Sequence, residues 1–240
     1  MAAWPLDSTR YFELPFALES LASRSVRRYL DVSSPRLLPA VFIRQHPDVE
    51  ATLINPDKDD LGETARLVRE LRIESRCHLY PCVVDDIPAE DASLDAITSM
   101  SVVEHIPSDQ AAIRRLWALL RPGGMLILSM PCAATGEEHY LNVDHYGVIQ
   151  GQGGFTFFQR VYDRPALESG VFAVTGLPRR QVLYGERTPG FLQANLLRKW
   201  EDRSYPFWRE PYTMAREFRR FERIEDLPGE GVIVMEFVKA

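Results

Sequence analysis

The spacing of apolar residues switches between two periods along residues 11–131. Residues 11–24 (YFELPFALESLASR) place apolar side chains at helical spacing and predict a leading amphipathic helix. Residues 28–32 (RYLDV) form a short apolar run and predict a strand ending at Ser33. Ser34 then suits an N-cap and Pro35 a first helical position, so RLLPAVFIRQ reads as the next helix. The same alternation continues with strand 51–55 and helix 59–72, whose acidic start and basic end match the helix dipole. Strands are expected at 77–84 and 93–99, a helix capped by Ser108 follows, and after the turn at 121–124 comes strand 125–130. This order argues for βαβ units around a parallel sheet.

Beyond Pro131 the rhythm changes. Residues 132–160 read as a glycine-punctuated loop region, followed by a short helix at 163–169 and a strand at 180–185. Residues 190–224 are rich in aromatics and Arg and are expected to be partly helical, and GVIVMEFV (231–238) closes the chain as a strand.

Composition narrows the reading. The chain has 240 residues, 45% of them hydrophobic and 26% charged, which suits one globular domain. A net charge of −6 gives no general reason to expect nucleic acid or an anionic membrane as partner. None of the fourteen glycines precedes Gly62, so no Walker loop and no G-x-G-x-x-G follows the first strand. Three scattered cysteines make neither a disulfide framework nor a zinc module, and no metal is expected. The residues MAAWPLDSTR do not read as a signal peptide, and no apolar run approaches the roughly 18 residues of a membrane span, so a cytoplasmic protein is expected.

Four blocks then carry a resemblance. LDVSSPRLLP, ATLINPD, VVDDIP…SLDAITSMSVVEHIP and LWALLRPGGMLILSMP follow one another in order and spacing. Together residues 28–131 resemble the core of a class I S-adenosylmethionine-dependent methyltransferase, of the type 11 kind, with the glycines of the first motif replaced. The resemblance implies an α/β, doubly wound, Rossmann-like seven-stranded sheet with helices on both faces and an antiparallel edge. It also implies S-adenosylmethionine as cofactor. On this reading 1–27 is a helical extension of a single domain, 28–131 the cofactor core, and 132–240 the acceptor-side loops and closing strands.

By the same resemblance Asp31, Ser33 and Ser34 stand at the first-strand turn against the cofactor, unless SSP is only a helix start. Asn55 takes the place of the ribose-binding acid; the alternative is a turn cap with Asp57. Asp85, Asp86 and Ile87 fall where adenine is held, and Ser101 and His105 near the sulfonium end, a turn-capping histidine being the other reading. Glu104, Tyr140, Arg160 and Tyr162 are candidate acceptor contacts. Methyl transfer needs alignment and, for a hydroxyl, proton removal. His145 with Asp144 is the candidate base and His139 the second choice; a metal site or a plain polar loop are the alternatives. Trp200, Tyr205, Phe207 and Trp208, interleaved with Arg203 and Arg209, read as core or pocket wall rather than a nucleic-acid platform.

The expected function is therefore methylation of an oxygen or nitrogen on a small molecule, a sugar or natural-product scaffold, with a homodimer left open. A methyltransferase-like partner protein without activity, and a cofactor-dependent cyclisation or decarboxylation, are the competing readings.

Overall fold

The computed structural model describes residues 8–142, 155–202 and 205–240. Its main sheet contains β1 (Arg28–Val32), β2 (Glu50–Ile54), β3 (Cys77–Tyr80), β4 (Leu94–Met100) and β5 (Leu120–Cys132). Further along the chain lie β6 (Glu137–Leu141), β7 (Thr156–Val161), β8 (Arg180–Glu186), β9 (Phe218–Phe221) and β10 (Gly231–Val238). The order across the sheet is β3-β2-β1-β4-β5-β10-β8-β9, while β6 and β7 pair separately. β1 to β5 pair in parallel; β10 runs antiparallel to both β5 and β8, and β9 antiparallel to β8.

Period-2 alternation divides the strands between two cores. Leu30, Val32, Leu126, Leu128 and Met130 face one layer, where Ile113 and Leu116 of helix α4 (Asp109–Leu119) pack. Tyr29, Met125 and Ile127 face the other, against Leu21 of α1 (Arg10–Ala22) and Phe42 of α2 (Leu37–Gln45). Helix α3 (Lys58–Glu70) packs on this second side through Val68. The doubly wound expectation holds, and the order reverses between β1 and β4, which opens a crevice at the carboxyl ends of those strands.

Several elements differ from expectation. β3 stops at Tyr80, because Pro81 has no N–H for the ladder, and Val84–Asp86 form a 3₁₀ turn instead. The sheet has eight strands rather than seven: β9 extends it inside a segment expected to be partly helical, with Phe218 and Phe221 buried and Arg219 and Arg220 exposed. Charged side chains on an edge strand oppose further pairing. The segment read as loop contains the β6–β7 hairpin. Ser108 starts α4 without a side-chain cap bond.

Lys239 closes the far end of the sheet. Its ammonium donates to the carbonyls of Trp117, Ala118 and Leu120 at 2.7, 3.3 and 2.8 Å, so a cation sits on the last turn of α4. Lys239→Met leaves these acceptors without that donor. We expect a loss of about 1–3 kcal/mol, read as a fall of several degrees in Tm; an unchanged Tm contradicts this role.

Candidate functional site

The turn out of β1 is built without glycine. Ser33 adopts φ +51°, the left-handed region that costs a non-glycine residue about 1–2 kcal/mol. It is held there by the Ile54 carbonyl, which accepts from the Ser33 N–H at 2.9 Å and from its hydroxyl at 3.1 Å. Asp31 and Ser34 brace the turn from behind. The Asp31 carboxylate accepts from the Ser34 N–H at 3.1 Å and from the Thr98 hydroxyl at 2.6 Å, with the Tyr29 hydroxyl at 3.2 Å. Burial pushes the Asp31 carboxyl up to about 6 against the opposing pull of these bonds. The Ser34 hydroxyl accepts from the Met100 N–H at 3.1 Å. Both side chains are therefore committed to joining β1 to β4. Neither borders the main cavity, whereas Ser33 does; all three border a small adjoining pocket.

The cavity has a volume of about 520 Å³ and lies beyond the ends of β1, β2, β3 and β4. Of the sequence-predicted cofactor residues, Ser33, Asn55, Asp85, Ser101 and His105 line it together. Asp86 and Ile87 do not: Ile87 is 4% exposed and belongs to the core beside α4. Cys82 and Val83 take the wall beside Asp85 instead.

Asn55 is explained by its neighbours. Its amide donates to Asp60 at 2.8 Å, and its carbonyl oxygen accepts from the Asp57 N–H at 2.9 Å. Asp57 caps α3 by accepting from the N–H groups of Asp59 and Asp60, and Arg36 pairs with Asp60. The turn-cap reading of Asn55 and Asp57 is thus correct as geometry. Asp57 and Asp60 line the cavity beside Asn55.

At the end of β4, Ser101 is a second left-handed non-glycine residue, with φ +51°. Its hydroxyl donates to Glu13 of α1 at 3.0 Å. Glu13 is fully buried and also accepts from Thr9 at 3.0 Å and Arg10 at 2.5 Å, and Arg10 reaches the cavity wall. Sequence reasoning missed this pair. The signal was available, since Arg10 and Glu13 are isolated charges at i, i+3 in an otherwise apolar helix start. His105 has Nδ1 2.7 Å from the Phe158 carbonyl, which can only accept, so Nδ1 carries the proton.

Glu104, expected at the acceptor, is instead buried and off the cavity wall, with its Oε2 lacking a hydrogen-bond partner. Burial pushes its carboxyl up to about 8, nearby Glu13 adding to the rise while its own backbone N–H and Arg10 oppose it.

The remaining acceptor-side candidates separate. His139 and Tyr140 lie on the hairpin, where His139 contacts Glu137 at 2.8 Å and the Tyr140 hydroxyl donates to Glu138 at 2.7 Å; neither lines the cavity. Arg160 bridges Glu138 and Asp109. Tyr162 is fully buried and donates to Asp109 at 2.6 Å, so it packs beneath α4 rather than facing a ligand. Asp144 and His145 lie outside the described residues, as do Arg203 and the side chain of Trp200. Tyr205 is buried as expected, but Trp208 is 69% exposed and forms no pocket wall. Among the described residues no group of three or more His, Cys, Asp or Glu is placed to hold a metal, and no helix is long and apolar enough to cross a membrane.

Residues 40–128 match the family model of a methyltransferase domain. That stretch of the chain is similar to a methyltransferase domain. A ubiquinone biosynthesis O-methyltransferase from Xanthomonas axonopodis pv. citri (strain 306) is 33% identical over 120 residues, 48% of each chain. The chain thus matches about half the length of its curated relatives. Among solved structures, a putative sarcosine dimethylglycine methyltransferase from Galdieria sulphuraria aligns with TM-score 0.61 at 13% identity, covering 95% of this chain and 85% of that one. The geranyl diphosphate C-methyltransferase from Streptomyces coelicolor A3(2), solved with Mg²⁺, geranyl diphosphate and S-adenosyl-L-homocysteine, gives 0.61 at 12% identity, covering 95% and 79%. S-adenosylmethionine is the cofactor of this methyltransferase domain class, and the wall fits it: a cation, several carboxylates and apolar surfaces surround a space of suitable size.

Two predictions follow from these contacts. Asn55→Asp sets a second carboxylate beside Asp60, so one of the pair keeps a proton in the folded state that the unfolded chain loses above about pH 4. Its destabilisation should grow with pH, reaching about 1–2 kcal/mol at pH 8; equal melting of variant and wild type at pH 8 contradicts it. For Glu104 the folded carboxyl at about 8 lies above the unfolded value, so wild-type stability falls as pH rises from about 4.5 to 8 and levels off beyond. Glu104→Gln should flatten that slope and exceed wild type at pH 8 by on the order of a few kcal/mol. Parallel pH profiles would refute this.

Proposed function

We propose that this protein transfers the methyl group of S-adenosylmethionine to an oxygen or nitrogen of a small molecule, a sugar or natural-product scaffold. The carrying observation is the cavity beyond β1 to β4, in which Arg10, Asn55, Asp85 and His105 converge. The Xanthomonas relative is an O-methyltransferase, which favours a hydroxyl acceptor here.

Each wall has a role in this reading. Arg10 receives the carboxylate of the cofactor's amino-acid end, and Asp57 or Asp60 accepts from its ribose hydroxyls. Asp85 accepts from the adenine amino group, with Val83 packed against the ring. When bound, the cofactor supplies a methyl group already activated on a sulfonium. The chain's own tasks are then to align the acceptor, exclude water and take a proton. Val102, Ile106 and Pro107 give the cavity an apolar side that excludes water. His105, whose Nδ1 donates to the Phe158 carbonyl and whose ring borders the cavity, is the residue that takes the proton in this reading.

Release of S-adenosylhomocysteine across a panel of hydroxylated and amino small molecules identifies an acceptor. With that acceptor, His105→Ala should lower kcat by about 10²-fold or more while changing cofactor affinity little. Wild-type turnover in this variant, or the same loss from His145→Ala with His105→Ala active, would move the base elsewhere.

A further inference from the structure

Helix Glu210–Glu217 buries a carboxylate and exposes an aromatic ring. Glu210 points inward and is fully buried, 2.9 Å from the Lys199 ammonium, whose side chain is 3% exposed. The Tyr205 hydroxyl and the Asn195 amide also donate to Glu210, and Met214 is buried one turn later. The apolar surface faces outward. Trp208, in the 3₁₀ turn Phe207–Arg209 that leads into the helix, is 69% exposed, and Tyr212, four residues on, is 75% exposed. The turn runs directly into the helix, so the two exposed rings stand four residues apart along one continuous exposed segment. Arg209 and Arg216 are exposed along it, and Arg219 and Arg220 are exposed just beyond on β9. Arg216 contacts Glu217 at 2.6 Å, yet its side chain remains 77% exposed.

Burying an ion pair and exposing two large rings both work against folding locally. The buried Glu210–Lys199 network fixes the helix in that orientation, so the exposed rings are held outward. Such a conflict between sequence and environment marks a surface with a use. The Arg209 guanidinium lies 4.7 Å from the centre of the Trp208 ring, which occupies the face a nucleic-acid base would stack on. Amphipathic rings flanked by arginines are instead the chemistry of a membrane–water interface, where Trp and Tyr sit at headgroup level and Arg meets phosphate.

We propose that the Trp208–Tyr212 segment, with Arg209 and Arg216, docks this protein on an anionic phospholipid surface. The charge is local, since the chain as a whole is negative at −6. Binding should therefore be peripheral and salt-sensitive.

Flotation with phosphatidylcholine vesicles, with and without phosphatidylglycerol, tests this on the full chain. Wild type should float with the anionic vesicles and be released by salt. Trp208→Ala with Tyr212→Ala, and separately Arg209→Glu with Arg216→Glu, should each weaken binding about tenfold or more while keeping the wild-type Tm. The proposal is overturned if wild type does not float or if both folded variants float as wild type does. It is also overturned if the segment instead carries self-association, seen as a drop in sedimentation mass in the aromatic variant, or binds a single-stranded oligonucleotide in preference to the vesicles.

Discussion

The hydrogen-bonded brace behind the first strand is the constraint on which the site depends. Asp31 ties the Ser34 N–H to Thr98 on the neighbouring strand, and Ser34 in turn receives the Met100 N–H. Because the turn is pinned at both ends, Ser33 can be held at φ +51° without glycine. The strain of about 1–2 kcal/mol is offset by two bonds to the Ile54 carbonyl. The result is an open crevice at the switch point of the sheet, where α/β proteins receive their ligands.

The same displacement of function onto neighbours recurs around the cavity. Asn55 holds Asp60 through its amide and Asp57 through the Asp57 N–H, and both acids line the cavity beside it. Ser101 donates to Glu13 of α1, which also pairs with Arg10, another residue of the cavity wall. The leading helix is thus part of the site, and its Glu13 adds to the burial that raises the Glu104 carboxyl.

Much of the fold was legible because it is written in local periods: the βαβ alternation and the closing strand follow from apolar spacing, while the doubly wound order was implied by the resemblance of the four blocks. β9 was hidden because FRRF buries its two ends and exposes two arginines, which no strand or helix period describes. The β6–β7 hairpin was hidden because its strands are half exposed and carry no apolar alternation. At the site, position along the chain correctly brought Ser33, Asn55, Asp85, Ser101 and His105 to one cavity. Asp31, Ser34, Ile87, Glu104 and Tyr162 do not border that cavity; their side chains turn inward. Side-chain direction is set by pleat and packing, which block order does not encode. Arg10 was missed because it reaches the cavity from outside the matched blocks.

The central claim is that a glycine-free first motif still forms a working cofactor site. Isothermal titration of the full chain with S-adenosylhomocysteine tests it most directly. Saturable one-to-one binding is expected, weakened by Arg10→Ala in protein that remains folded despite the loss of the partner of buried Glu13. Absence of binding by the folded wild-type protein at millimolar ligand would contradict it.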